Sequence, residues 1–364
     1  RPTDPITRAE LINILSNMVD TLVKDATTVT EDVSGSLLIS AADGATLKGI
    51  QIGGDLILAP GVTKDVTLVD CVIQGNIRNY GTGEVRFEAP QITPESTAAK
   101  PSEVYKPGAT LDRTLEYGGK TVPIYRDRPL NVFSDVDFIW TDEENENQRR
   151  LEYLGGEFRT RYGIDVSSFQ GEIDWDAVAD DNIDFAMVRV GFRGTGTGSL
   201  NTDKYYEQNI RGAMRAGLET GVYFFAQAVT VEEAIEEADY VISLLDGLDI
   251  NGPVAYDWEM HDSTYRVYGT SPEMATACAV AFCERIKDAG YTPMVYGGTY
   301  VTYMKYDQGA LADYLSWYPE YKSEKSEKLC PTLVYHMDYW QFSSSRAVAG
   351  INGRVDMNIQ FIRR

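Results

Sequence analysis

Apolar residues change their rhythm midway along this chain of 364 residues. From about residue 161 onward, short apolar runs alternate with helical stretches, which is the signature of βα units. Eight runs read as strands: 163–167, 185–190, 222–226, 254–259, 293–297, 315–318, 338–342 and 354–358. The helices between them carry punctuation at their ends. Thr230 with Glu233 makes a capping box, and Gly247 follows that helix. Ser271 caps another, Pro272 takes its first position, and Gly290 closes it. After the fifth strand only one short helical pattern remains, 307–313. Five βα units followed by three nearly helix-free strands predict an α/β fold, an incomplete TIM-like (β/α)5β3 barrel over 161–364.

The first half follows other periods. Over 1–24, Leu11, Ile14, Leu15, Met18, Val19 and Leu22 form a stripe at helical spacing, so residues 1–30 are read as a short helical segment. Residues 31–95 hold an internal repeat with a constant offset of 21, pairing Thr46 with Thr67, Leu47 with Leu68, Ile52 with Ile73, Gly54 with Gly75 and Leu56 with Ile77. An earlier run, 34–40, echoes it. Short strands at this period predict rungs of a small right-handed parallel β-helix, and two hairpins of a sandwich are the other arrangement. Residues 96–160, punctuated by Pro101 and Pro107 and ending near the charged run 141–150, predict a connector.

Charge narrows the function classes. With 55 acidic and 33 basic residues the net charge is -22. A nucleic acid would be repelled, because binding one rests on Lys and Arg neutralising phosphates. An anionic membrane surface is disfavoured in the same way, and no run of 18 apolar residues exists to cross a bilayer. The acidic surface reads as a solvated, soluble one. No leader pattern precedes Arg1, which suggests a mature or trimmed chain. Four cysteines are too few for a disulfide scaffold. Cys278 and Cys283 share a predicted helix with Cα atoms ~8 Å apart, beyond disulfide reach, so the cysteines read as buried small hydrophobes.

Candidate chemistry gathers at strand ends, where barrels of this kind place their active sites. Asp165 lies in the first strand, Asp257 and Glu259 end the fourth, and Asp356 lies in the last. Asp257 and Glu259 are two apart on a strand, so they share a face with Cα atoms ~6.6 Å apart. Like charges that close push one pKa up, which lets one carboxyl stay protonated while its neighbour is ionised. Glycosidases use such a pair. Tyr223, Tyr296, Trp317 and Trp340 fall near strand ends, where rings could stack on sugars or simply pack a core. Gln341 and Arg189 could donate hydrogen bonds to acetamido or hydroxyl groups. His261 and His336 are too few for a histidine-rich zinc centre, and no Cys-x-x-Cys or Gly-x-Ser-x-Gly is present. The glycine-rich 191–198 lacks dinucleotide-loop spacing, so no metal or cofactor is expected.

The runs GIDVSSFQG, MVRVGFRGTG, GVYFFA, YDWE, MVYG and WQFSSSRAVAGINGRVDMN resemble glycoside hydrolase family 25, the Chalaropsis-type lysozymes, over about 161–364. The resemblance implies a (β/α)5β3 barrel that hydrolyses β-1,4 bonds between N-acetylmuramic acid and N-acetylglucosamine in bacterial peptidoglycan. It implies Glu259 as general acid with Asp257 as its ionised partner, and Asp165 and Asp356 as the remaining acidic site positions. A secreted protein acting at a bacterial cell wall or surface follows. RPTDPITRAELINIL resembles the second half of an S-layer homology repeat, which implies attachment to a cell-wall polymer through upstream repeats; an ordinary amphipathic helix is the other reading. A non-catalytic wall-binding or S-layer-associated protein is the alternative function, and the intact acid pair argues against it.

Overall fold

Short strands stack in parallel through the first part of the chain, visiting three ladders in turn. The structure, a computed structural model, describes residues 19–69, 71–73, 77–88, 100–141 and 148–364. The chain divides into two compact units, Arg1–Ser96 with Gly196–Ser199, and Thr97–Thr195 with Leu200–Arg364.

In the first unit, Thr21–Val23, Leu37–Ile39, Leu56–Leu58 and Ile77–Asn79 form one parallel ladder. Thr28–Val29, Ala45–Lys48, Val66–Val69 and Val85–Glu88 form a second, and Gln51–Ile52 with Val72–Ile73 a third. The sequence repeat is the ladder register itself: Thr46 pairs with Thr67, Leu47 with Leu68, Ile52 with Ile73 and Leu56 with Ile77. Hairpin partners are antiparallel, so the parallel pairing excludes two hairpins. Leu37, Ile39, Leu47, Ile52, Leu56, Leu58 and Val66 fill the interior. A single rung has nothing to bury them against; the stack supplies it. Gly44, at φ 77°, passes so near the next rung that a Cβ would sit 2.0 Å from the Asp65 carbonyl oxygen. The helix expected to reach residue 24 gives way to the strand Thr21–Val23, because pairing with Leu37–Ile39 satisfies its backbone. Residues 1–18, with the S-layer-like run, lie outside the described residues.

The second unit is a mixed α/β structure around one closed sheet. Its ring strands are β1 (Phe158–Val166), β2 (Phe185–Arg193), β3 (Glu219–Ala226), β4 (Val254–Trp258), β5 (Pro293–Tyr296), β6 (Leu315–Pro319), β7 (Tyr339–Arg346) and β8 (Val355–Arg363), and a ninth short strand, Leu200–Thr202, pairs antiparallel with the end of β2. Neighbours in sequence pair in parallel from β1 to β7. β8 runs antiparallel to both β7 and β1 and closes the ring. Helices α1 (Trp175–Asp180), α2 (Tyr206–Arg215), α3 (Val231–Leu244), α4 (Pro272–Asp288) and α5 (Thr299–Met304) link the first six strands. The expected caps hold: Thr230 accepts from the Glu233 amide and Ser271 from the Met274 amide. The fifth helix lies earlier than expected. Residues 307–313 form turns instead, because Asp307 takes the amides of Gly309 and Ala310 on its own carboxylate.

Strand alternation sorts the apolar residues into two layers. Phe185, Met187, Ala255, Met294, Tyr296, Trp317 and Tyr339 fill the inside of the barrel. Val188, Phe224, Tyr256, Trp258, Val295, Trp340 and Met357 belong to the outer layer beneath the helices and covering segments.

The segment expected to be a connector is part of that outer layer. Leu111–Tyr117 and Lys120–Tyr125 form a hairpin, and Phe138–Trp140 pairs with Leu151–Tyr153. Val122, Ile124, Phe138 and Leu151 are buried in the barrel's own core, and the Phe138 ring meets Trp340 edge-on at 5.4 Å. Its prolines punctuate a covering layer, and part of the charged run, 142–147, lies outside the described residues. Cys278 and Cys283 are buried as expected, whereas Cys71 and Cys330 are only partly so.

A chain beginning at Thr97 should therefore fold and melt cooperatively. One beginning at Glu157 loses four buried apolar side chains at about 2–5 kcal/mol each, which approaches a whole domain's stability. It should aggregate or lose its near-UV circular dichroism. A soluble, native-like shorter chain would show that the cover is dispensable.

Candidate active site

The reversal of β8 creates the acidic site. Asp165 sits near the end of β1, and Asp356 near the start of antiparallel β8, so the two are direct cross-strand partners. Asp165 is only 5% exposed. Its Oδ2 accepts from Gln341 Nε2 and Asn358 Nδ2, both at 2.8 Å. Each donor is itself oriented. Trp317 Nε1 donates to Asn358 Oδ1 at 2.8 Å, and the Tyr296 and Tyr321 hydroxyls donate to Gln341 Oε1. An indole N–H can only donate, which fixes the direction of the chain ending on Asp165.

Burial raises Asp165, against the pull of the Asn358 and Gln341 amides. Burial and the charge of Asp165 push Asp356 up to about 8. The two carboxyls face each other across the strands, and burial with the charge of Asp165 keeps Asp356 in its neutral form at neutral pH.

Asp257 and Glu259 come off β4 with the same parity. Asp257 is 6% exposed, and its Oδ1 has no hydrogen-bond partner among the described residues. Burial, then the charges of Glu259 and Asp165, hold it far above the usual carboxylate range. Burial therefore favours the neutral form of Asp257, where an ionised Asp257 was expected. Desolvation is the reason: the deeper carboxyl pays more for charge. Glu259, just past the strand end, keeps 24% of its side chain exposed and accepts or shares a 2.8 Å hydrogen bond with His261 Nε2. It opens on a cleft of about 600 Å³ lined also by Met260, His261, Tyr296, Gly298, Thr299, Tyr300, Pro319 and Tyr321.

The remaining expected residues divide by strand parity. Tyr223 faces inward among the acids, half-buried, with its ring edge-on to Trp317 at 5.7 Å. Tyr296 and Trp317 face inward too, but both are buried as the floor beneath the acids. Trp340 faces the opposite way. It is fully buried in the outer layer, its Nε1 donating to the Glu320 carbonyl, because its neighbour Gln341 takes the inward position. Gln341 is itself spent on Asp165, Tyr296 and Tyr321, so it orients the acids. Arg189 is bound to the buried Asp203 at 2.8 Å and lies against the Phe169 ring. Its Nε and Nη2 are taken up by Asp203 and Ser168 Oγ, so it shapes the rim.

Several contributors carry little signal in the sequence. Asn358 lies inside the closing motif, where nothing about an asparagine marks it as a donor to Asp165. Asp203 anchors both Arg189 and the Ser168 amide, and no spacing marks it. A lone histidine reads as polar surface, although the place of His261 two residues after Glu259 is visible. Phe169, Tyr300 and Tyr321 are the exposed rings around the site, in place of the buried Trp317 and Trp340.

Residues 164–351 match the family model for glycosyl hydrolases family 25. The autolytic lysozyme of Clostridium acetobutylicum is 26% identical over 197 residues, covering 54% of this chain and 54% of that protein. The chain thus spans about half the length of that relative. Lysozyme M1 of Streptomyces globisporus is 27% identical over 201 residues, covering 54% of this chain and 66% of that one. The spore cortex lytic enzyme SleM of Clostridium perfringens superposes with a TM-score of 0.48 at 22% identity, covering 55% of this chain and 67% of the solved one.

The raised Asp356 has a consequence for stability. Asp356 is raised from 3.8 to about 8, so its stabilising contribution is complete below about pH 4 and is lost as pH rises through about 8. Asp356→Asn cannot ionise, and its Tm should fall less than the wild type's between pH 4 and 9. Parallel Tm-versus-pH curves would show that Asp356 is not raised.

Proposed function

Because the chain belongs to glycosyl hydrolases family 25, we propose that it is a lysozyme, an N-acetylmuramidase that hydrolyses β-1,4 bonds between N-acetylmuramic acid and N-acetylglucosamine in peptidoglycan. One observation carries this reading. Of two carboxyls two residues apart at the end of β4, Asp257 is buried and held well above the usual carboxylate range, while Glu259 stands at the edge of the cleft. The catalytic domain is the barrel of 161–364, read as the incomplete (β/α)5β3 form, with residues 97–157 as its cover. The repeat module of 31–95 takes no part in the chemistry. The protein acts outside the cell, on the wall.

Glu259 is the general acid. It gives its proton to the glycosidic oxygen, the bond to the anomeric carbon breaks, positive charge grows on that sugar, and water adds to that carbon with release of a proton. Burial holds Asp257 toward its neutral form in the free protein. A substrate acetamido N–H placed against Asp257 offsets that cost and favours its ionised form beside the growing cation. The Asp165–Asp356 pair supplies a fixed negative charge beneath the developing cation. Phe169, Tyr300 and Tyr321 offer ring faces to neighbouring sugars.

Digestion of purified peptidoglycan, borohydride reduction and mass spectrometry tests the specificity. Muramitol is expected; glucosaminitol would mean a glucosaminidase, and no new reducing ends would favour a wall-binding protein.

Two isosteric variants separate the acids. Glu259→Gln should lose about 10²–10⁴ in kcat/KM on peptidoglycan, the usual worth of a general acid, and far less on an aryl glycoside with a good leaving group. Asp257→Asn should lose activity on both substrates, since the cation forms in either case. Equal losses for Glu259→Gln on the two substrates would remove it from the acid's role.

A further inference from the structure

Glu259 has a backbone problem. The ladder between β3 and β4 ends at the Ala226–Trp258 pair, so Glu259 stands one residue beyond its sheet. What holds it there is a side chain. Gln227, the first residue past β3, donates from Nε2 to the Glu259 carbonyl oxygen at 2.8 Å.

Gln227 is itself clamped. Its amide donates to Glu237 Oε1 at 3.0 Å, and its carbonyl accepts from Arg266 Nη1 at 3.0 Å. Both clamps are ion-paired: Glu237 with Arg193 at 2.7 Å, and Arg266 with Glu233 at 2.7 Å. The next residue helps in the same direction, as the Ala228 carbonyl accepts from Trp258 Nε1 at 3.1 Å. The strand end carrying the acid is thus tied to the adjacent strand end through side chains, and that end to the first turns of α3.

Gln227 is fully buried, and its Oε1 has no hydrogen-bond partner among the described residues. A buried, unsatisfied amide oxygen costs about 1–3 kcal/mol, so an apolar side chain of similar length would suit the fold better. A costly residue making one bond, aimed at the backbone of the acid, points to function.

We propose that Gln227 is a positioning residue for the catalytic proton: its amide fixes the backbone of Glu259, and through it the reach of the carboxyl into the cleft. This rests on the reading of Glu259 as the general acid. Catalytic groups are held to within about 0.5 Å, and a displacement of about 1 Å costs roughly 10²-fold.

Gln227→Met keeps the volume and removes the donor. In the full chain it should leave Tm unchanged or raise it, and leave KM unchanged. It should lower kcat on peptidoglycan by roughly 10–100-fold, while an aryl glycoside with a good leaving group is cleaved at nearly the wild-type rate. Wild-type kcat on peptidoglycan would overturn the proposal. So would a Tm that falls in step with activity, which marks a structural residue, or an equal loss on both substrates, which disconnects Gln227 from proton donation. Glu259→Gln, run alongside, keeps the two readings apart. If that variant cleaves peptidoglycan normally, the assignment of the acid has failed, whatever Gln227 does.

Discussion

Four carboxyl groups crowd the mouth of one closed sheet, and the cost of burying their charge governs the arrangement around them. An unpaired buried carboxylate is costly, and among the described residues Asp165 has amides rather than a cation for its direct partners. Two devices meet that cost. Amides from β7 and β8 deliver two hydrogen bonds to Asp165, and the neighbouring carboxyl keeps a proton. The amides are aligned by Trp317, Tyr296 and Tyr321, so aromatic residues near the acids act mainly as wiring. The antiparallel β8 is essential to this. Were it parallel like the others, Asp356 would enter at the opposite end of the barrel from Asp165.

The same crowding separates the roles of the β4 acids. Both are inward by parity, but one is buried and the other is at the rim. Depth raises the cost of charge on Asp257, and access leaves Glu259 open to the cleft. On the proposed reading these two properties divide the work between the residues, the exposed carboxyl reaching the glycosidic oxygen and the buried one facing the sugar.

Much of this was legible in the sequence wherever a period and a structural constraint coincide. The offset of 21 residues turned out to be the ladder register because stacked rungs need equivalent residues at equivalent places. The β4 acids were legible because a spacing of two fixes a shared face. Trp340 misled for a related reason: proximity to a strand end says nothing about facing, and Gln341 beside it already held the inward place. The cover of 100–157 was missed because its strands are short and its burial depends on barrel residues far along the chain. Asp203 was invisible in a different way, since it owes its meaning to Arg189 and the Ser168 amide, which only the folded chain brings to it.

An acid beyond the end of a strand, the role proposed for Glu259, faces opposing demands. Leaving the sheet opens it to the cleft, and leaving the sheet forfeits the ladder that would hold it still. Here the two are reconciled by buried polar groups contributed from the next strand end and from α3. The frame of Arg193, Glu237, Arg266 and Glu233 is an expensive way to build a core, since apolar residues of the same volume would pack without desolvation cost. What the frame provides is a rigid point from which one amide can hold the backbone of Glu259. Rigidity at that point lets the acid be partly exposed without being loose, so its place is fixed before any substrate arrives.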